Sequence, residues 1–187
     1  MSEQIWWYVA RSGGIVAWGL LALSMCWGLM VSTRAANSAA SPKNILGMHR
    51  YWSLLSVVFT GVHIAGLVAD NYVTFGWAEV LVPWASEWQP TPVAWGVIGF
   101  YLLVAIEVTS LLMRRMPRPM WGAIHRMSFA LFVFATLHGI QAGTDISNVW
   151  YRLALLAAIN IVAFLTVLTL LAKGRRAADK VPAPAAG

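Results

Sequence analysis

Cysteine is nearly missing from this chain of 187 residues: Cys26 stands alone. A single thiol excludes an internal disulfide, and it excludes cysteine-ligated zinc sites and iron–sulfur clusters. Charge is scarce as well. Asp, Glu, Lys and Arg make up 11% of the residues, against 59% hydrophobic ones. That balance excludes a soluble domain with a large core and points to an integral membrane protein. Acidic residues are the rarer sign, 7 against 13 basic ones, for a formal net charge of +6. In a soluble protein such an excess would raise nucleic acid as a partner. Here the basic residues gather at the ends of apolar runs, so topology accounts for them and no nucleic acid is expected. No Ser/His/Asp arrangement, Walker loop or GxGxxG turn is present.

What is there is a series of long apolar runs. They place transmembrane helices at about 8–31, 45–68, 93–113, 121–142 and 151–171, an all-α integral membrane bundle of five helices in one domain, 1–172. Trp6, Trp7 and Tyr8 precede the first run as an interfacial belt. The N-terminus lacks the basic region and clean cleavage site of a signal peptide, so this run reads as a retained helix. A short interfacial helix is expected between Asp70 and Pro92, a stretch rich in Trp and Pro without Lys or Arg. From Lys173 to the end the chain is basic and then Ala/Pro-rich, and it reads as a disordered tail.

Loop charge predicts orientation. Arg34, Lys43, Arg114, Arg115, Arg118, Lys173, Arg175, Arg176 and Lys180 fall after the first and third helices and in the tail. By the positive-inside rule the N-terminus is outside and the C-terminus cytoplasmic, in a cell membrane of bacterial plasma-membrane type. The second and fourth helices then run the same way.

Histidine is the other rare residue, and all 4 copies sit at or inside apolar segments: His49, His63, His125 and His138. Polar groups at that depth ask for partners. His49 to His63 spans a rise of about 21 Å, and His125 to His138 about 19.5 Å. Parallel helices would therefore match His49 with His125 near the cytoplasmic face, and His63 with His138 toward the outside. Facing imidazoles can supply both axial ligands of a haem iron. Helical phase resists the idea. The first spacing falls about 40° short of whole turns and the second about 140° short. A tightened turn, a tilt or haems displaced to either side would absorb the difference.

Other residues join by position. Arg50 and Arg126 each follow a cytoplasmic-side histidine and are candidates for haem propionates, against plain snorkelling. Arg11, near the outer end of the first helix, is a candidate for an outer propionate. Glu107 lies inside the third helix, as a proton or quinone site or as a protonated carboxyl bonded to Ser110 or a neighbouring helix. Gly47, Gly61, Gly66 and Gly139, beside the histidines, would allow close approach of a flat macrocycle, or plain helix packing. Phe59, Phe129, Phe132 and Phe134 lie between the levels, as a tunnelling path or as packing.

The two histidine spacings, with Trp121-x3-His125 and Ala142-Gly-Thr-Asp145, resemble the ferric reductase-like transmembrane domain. That family includes ferric reductases, NADPH oxidases and the haem-binding membrane subunit of the bacterial methionine sulfoxide reductase system. The resemblance covers about residues 5 to 172. It implies two b-type haems, held by His49 with His125 and by His63 with His138, and unequal histidine spacing is itself a family feature. The oxidases have six helices where five are counted here. No flavin or nicotinamide domain follows the last helix, so direct NADPH oxidation by this chain is not expected. The expected function is a di-haem membrane cytochrome of b type, the electron-transfer subunit of an oxidoreductase system. Its donor would be a separate reductase, with any flavin on that partner, or membrane quinol. Its acceptor would be an external protein or metal ion. A quinol-oxidising cytochrome b stays open as an alternative, as does a non-redox scaffold or a metal or proton transporter.

Overall fold

Backbone inside hydrocarbon must satisfy its own N–H and C=O groups, and these apolar runs do so as helices. A computed structural model describes residues 4–33, 41–70 and 75–178. Seven α-helices are present among them: α1 Ile5–Thr33, α2 Pro42–Ala69, α3 Trp77–Leu81, α4 Pro90–Leu111, α5 Arg118–Arg126, α6 Ser128–Gln141 and α7 Val149–Ala178. Five spans are long and apolar enough to cross a membrane, with α5 and α6 together forming the fourth. The protein is an all-α membrane protein.

Local signals set the helix starts. Ser41 caps α2 by accepting from the Asn44 N–H, with Pro42 following at the first position. Proline also opens α4 and α5. The short α3 stands in the stretch where an interfacial helix was expected. Behind it, Trp84 and Gln89 take positive φ, so the chain turns sharply into α4.

Two features depart from the sequence reading. The fourth span is not continuous: α5 stops at Arg126 and α6 restarts at Ser128. At the join the Met127 N–H reaches the Ile124 carbonyl at 2.9 Å, three residues back instead of four. This is a turn of 3₁₀ type, which winds more tightly than an α-helix. The tail needs correction as well. Expected to be disordered from Lys173, the chain is helical to Ala178. Arg175 and Arg176 sit in the last turn, where cations favour the carbonyl end of a helix. The Arg176 guanidinium also donates to the Thr33 carbonyl at 2.7 Å, tying the ends of α7 and α1 together. Arg34, Lys180 and the rest of the tail lie outside the described residues.

The packing leaves a slot. α1 lies along α2, and α4 lies along α6. α1 also touches α6 and α7, while α2 meets α4 only lightly. Neither α5 nor α6 packs at length on α2, so the helices carrying the histidines are bridged by α1 and α4 and not by each other. A cluster of buried residues joins α1, α6 and α7 through Ala22, Met25, Leu29, Phe132 and Val162. Leu103, Ile106 and Leu131 pin α4 to α6. Gly66 of α2 meets the Ala10 backbone of α1 where a Cβ would come within 2.6 Å, so only glycine permits that crossing.

Candidate functional site: two facing histidine pairs

α2 and α6 run the same way, and the four histidines meet in two pairs. His49 and His125 have ring centroids 6.0 Å apart with planes at 83°. His63 and His138 have centroids 6.1 Å apart with planes at 74°. The tightened turn at Met127 lies between His125 and His138. It turns α6 further round than an unbroken helix would, the direction in which the phase was short.

Three of the four rings are held in one manner. His63 Nδ1 is 2.7 Å from the Ala10 carbonyl, and His138 Nδ1 is 2.9 Å from the Pro92 carbonyl. His49 Nδ1 is 2.9 Å from the Ser24 carbonyl and 3.1 Å from the Ser24 hydroxyl. A carbonyl only accepts, so Nδ1 carries the proton in each and Nε2 keeps its lone pair. In a helix the residue four places on from a carbonyl would shade it with its side chain. Here that residue is glycine every time: Gly14 after Ala10, Gly28 after Ser24, Gly96 after Pro92. A Cβ on Gly14 would fall 2.9 Å from His63 Nδ1, and one on Gly96 equally close to His138 Nδ1. On Gly28 it would fall 3.2 Å from His49 Cε1. The glycines beside the histidines in sequence do less. Gly47 and Gly61 face open space, and Gly139 approaches only the Tyr151 hydroxyl.

The fourth ring differs. His125 stacks on Trp121 at 4.9 Å and 19°, and its Nδ1 is buried with no hydrogen-bond partner among the described residues. The indole Nε1 atoms of Trp52 and Trp121 are likewise buried and unpartnered.

The remaining candidates fall in place as follows. Arg11 forms a two-pronged ion pair with Asp145, between α1 and the turn joining α6 to α7. The guanidinium holds the Asp145 carboxyl below the usual carboxylate range. Arg50 and Arg126 are exposed and make no hydrogen bond or ion pair among the described residues. Glu107 of α4 accepts a short hydrogen bond from Ser53 of α2, one turn beyond His49, and not from Ser110. Phe132 stacks on Trp18 and Phe134 on Trp95, as packing. A largely apolar cavity of about 230 Å³ adjoins the His63–His138 pair, with Gly14, Gly96, Arg11 and Asp145 in its lining.

Sequence reasoning passed over Ser24, Trp52 and the glycines of the facing helices. A signal was available for two of them. Gly14 and Gly28 stand at the same spacing in α1 as His63 and His49 do in α2. Antiparallel helices bring such a repeat into register.

Five apolar membrane spans around two facing imidazole pairs define a membrane bundle with a histidine site near each end. The chain belongs to the family described as ferric reductase like transmembrane component, whose sequence model matches residues 13–136, about two thirds of its length. The matched stretch contains His49, His63 and His125 and stops just before His138. Membership supports a redox component of a membrane. No curated protein and no solved structure matches the chain.

Proposed function

We propose that the chain is the membrane subunit of an oxidoreductase system, with two b-type haems that carry electrons from a cytoplasmic or membrane donor to an external acceptor. One haem would lie between His49 and His125, the other between His63 and His138. The facing pairs carry this reading. With metal–nitrogen bonds of about 2.0 Å and a ring radius of about 1.1 Å, two imidazoles sharing one metal stand about 6.2 Å apart. The observed 6.0 and 6.1 Å fit that requirement. Among the described residues no three of His, Cys, Asp and Glu group around a metal, so each level offers two protein ligands only. A macrocycle that supplies the equatorial ligands suits such a pair better than a bare ion does. Bound haem supplies one-electron chemistry at its iron.

The chain's own residues do the rest. Carbonyls 10, 24 and 92 fix the tautomer and plane of three ligands and raise their basicity. The buried Trp52 and Trp121 N–H groups are donors free for an anionic cofactor edge. Exposed Arg50 and Arg126 are further candidates for it, whereas Arg11 is engaged by Asp145. The basic end would face the cytoplasm of a bacterial plasma membrane, where a flavin-bearing reductase is attracted. An acceptor protein or a metal ion would take electrons at the other end.

The Ser53–Glu107 contact favours one second reading, a cytochrome b that oxidises quinol itself. It ties a carboxyl that can hold a proton to Ser53, the residue one turn beyond His49. Purified protein is expected to carry about two b haems per chain by reduced-minus-oxidised spectroscopy and extraction. Each single His→Ala variant should lose about one. Full haem content in all four variants would refute the ligand assignment. Dependence of haem reduction on quinol or on a flavin donor separates the two redox readings.

A further inference from the structure

The exception among the four histidines identifies a residue with a task of its own. Three rings are steered by a bare carbonyl under a glycine, but His125 has none. Pro92 and Gly96 of α4 serve His138, whereas no backbone carbonyl among the described residues accepts from His125 Nδ1. Trp121 stands one turn before His125 on α5, and residues so spaced share a helix face. Its indole lies nearly parallel to the imidazole, 4.9 Å away.

We propose that Trp121 is the positioning residue of His125, fixing the imidazole plane by stacking where the other three ligands use a hydrogen bond to a carbonyl. This rests on the haem reading above. It makes the pair at the basic end unequal. His49 is held through Nδ1 by Ser24, whereas His125 is held only through its face. A hydrogen bond at Nδ1 strengthens an imidazole as a ligand, so His125 is the weakest of the four. It is also the one whose plane an aromatic substitution can preserve.

Trp121→Ala and Trp121→Phe separate the face of the indole from its N–H. In purified full-length protein, Trp121→Ala is expected to turn up to half of the haem from six-coordinate low-spin to high-spin, by absorption and electron paramagnetic resonance. Trp121→Phe should keep the wild-type spectrum. The His63–His138 level is the internal control: in a His63→Ala background the high-spin fraction should approach the whole of the remaining haem. An unchanged low-spin spectrum in Trp121→Ala overturns the proposal while leaving the two-haem reading intact. The same change in Trp121→Phe as in Trp121→Ala also overturns it, since the N–H would then be the working group. Wild-type protein without haem overturns both readings.

Discussion

A glycine under a carbonyl is a small device with a large effect on a histidine. The backbone carbonyl of a helix has a second lone pair, but the side chain one turn on normally screens it from a neighbouring helix. Without a Cβ the carbonyl stays open, and the neighbouring imidazole sits on it. At His63 and His138 the arrangement sets the tautomer without any polar side chain, which hydrocarbon surroundings would penalise. At the His138 slot, an added methyl in Gly96→Ala would fall 2.9 Å from the ring and must displace it from the Pro92 carbonyl. Loss of such a partner weakens metal affinity by about 10–100-fold. Gly96→Ala is therefore expected to lower haem content toward one per chain, measured by extraction. Gly47→Ala and Gly61→Ala meet nothing and should keep full content, with a gain in helix stability of roughly 0.5–1 kcal/mol. Equal loss from all three variants would mean that glycine matters here only as packing.

At the level of elements, the break between α5 and α6 narrows the phase difference between the two histidine spacings. An alanine inserted after Met127 would turn α6 by about 100° relative to α5 and carry His138 off His63. The expected result is loss of about half the haem, and adding His63→Ala to the insertion should cost no more, because both changes strike one level. Further loss in the double variant would show that the insertion disturbs the whole bundle. The sequence could not mark this break. Arg126, Met127 and Ser128 all tolerate a helix, and neither proline nor glycine stands among them. Only the phase shortfall between His125 and His138 pointed to it. The helices themselves were legible, because long apolar runs have few alternatives in a membrane. So was the matching of histidines, which follows from rise and direction alone. The carbonyl slots were not, because they depend on which residues of α1 and α4 face α2 and α6, and uniformly apolar helices carry no such face in their pattern. The extension of α7 to Ala178 was hidden for a related reason: its support comes from the distant Thr33 carbonyl.

Across the whole molecule the bundle is electrostatically lopsided, and more by its basic end than by its acidic one. Arg114, Arg115, Arg118, Lys173, Arg175 and Arg176 are all exposed around the His49–His125 end. The opposite end carries Asp70, Glu79, Glu87 and Asp145. Asp145 is neutralised by Arg11, and a Glu79 oxygen accepts from the Gly76 N–H at 2.7 Å to cap α3. Charge should then govern the donor side far more than the acceptor side. The two histidine levels are about 20 Å apart by helical rise, so the proposed haems, whose edges would reach several ångströms from each iron, would need no mobile carrier between them. In vesicles with the basic end inward, an anionic donor supplied inside is expected to reduce both haems. The rate should fall several-fold between about 0.01 M and 0.15 M salt as the Debye length shrinks from about 30 to 8 Å. Reoxidation by an external acceptor should change little over the same range. His125→Ala should stop the inside donor from reducing the outer level while external reductants still reach it. A variant that passes electrons outward at the wild-type rate would show that the path does not run through the His49–His125 pair. A salt effect on the outer step instead of the inner one would reverse the assignment of donor and acceptor ends.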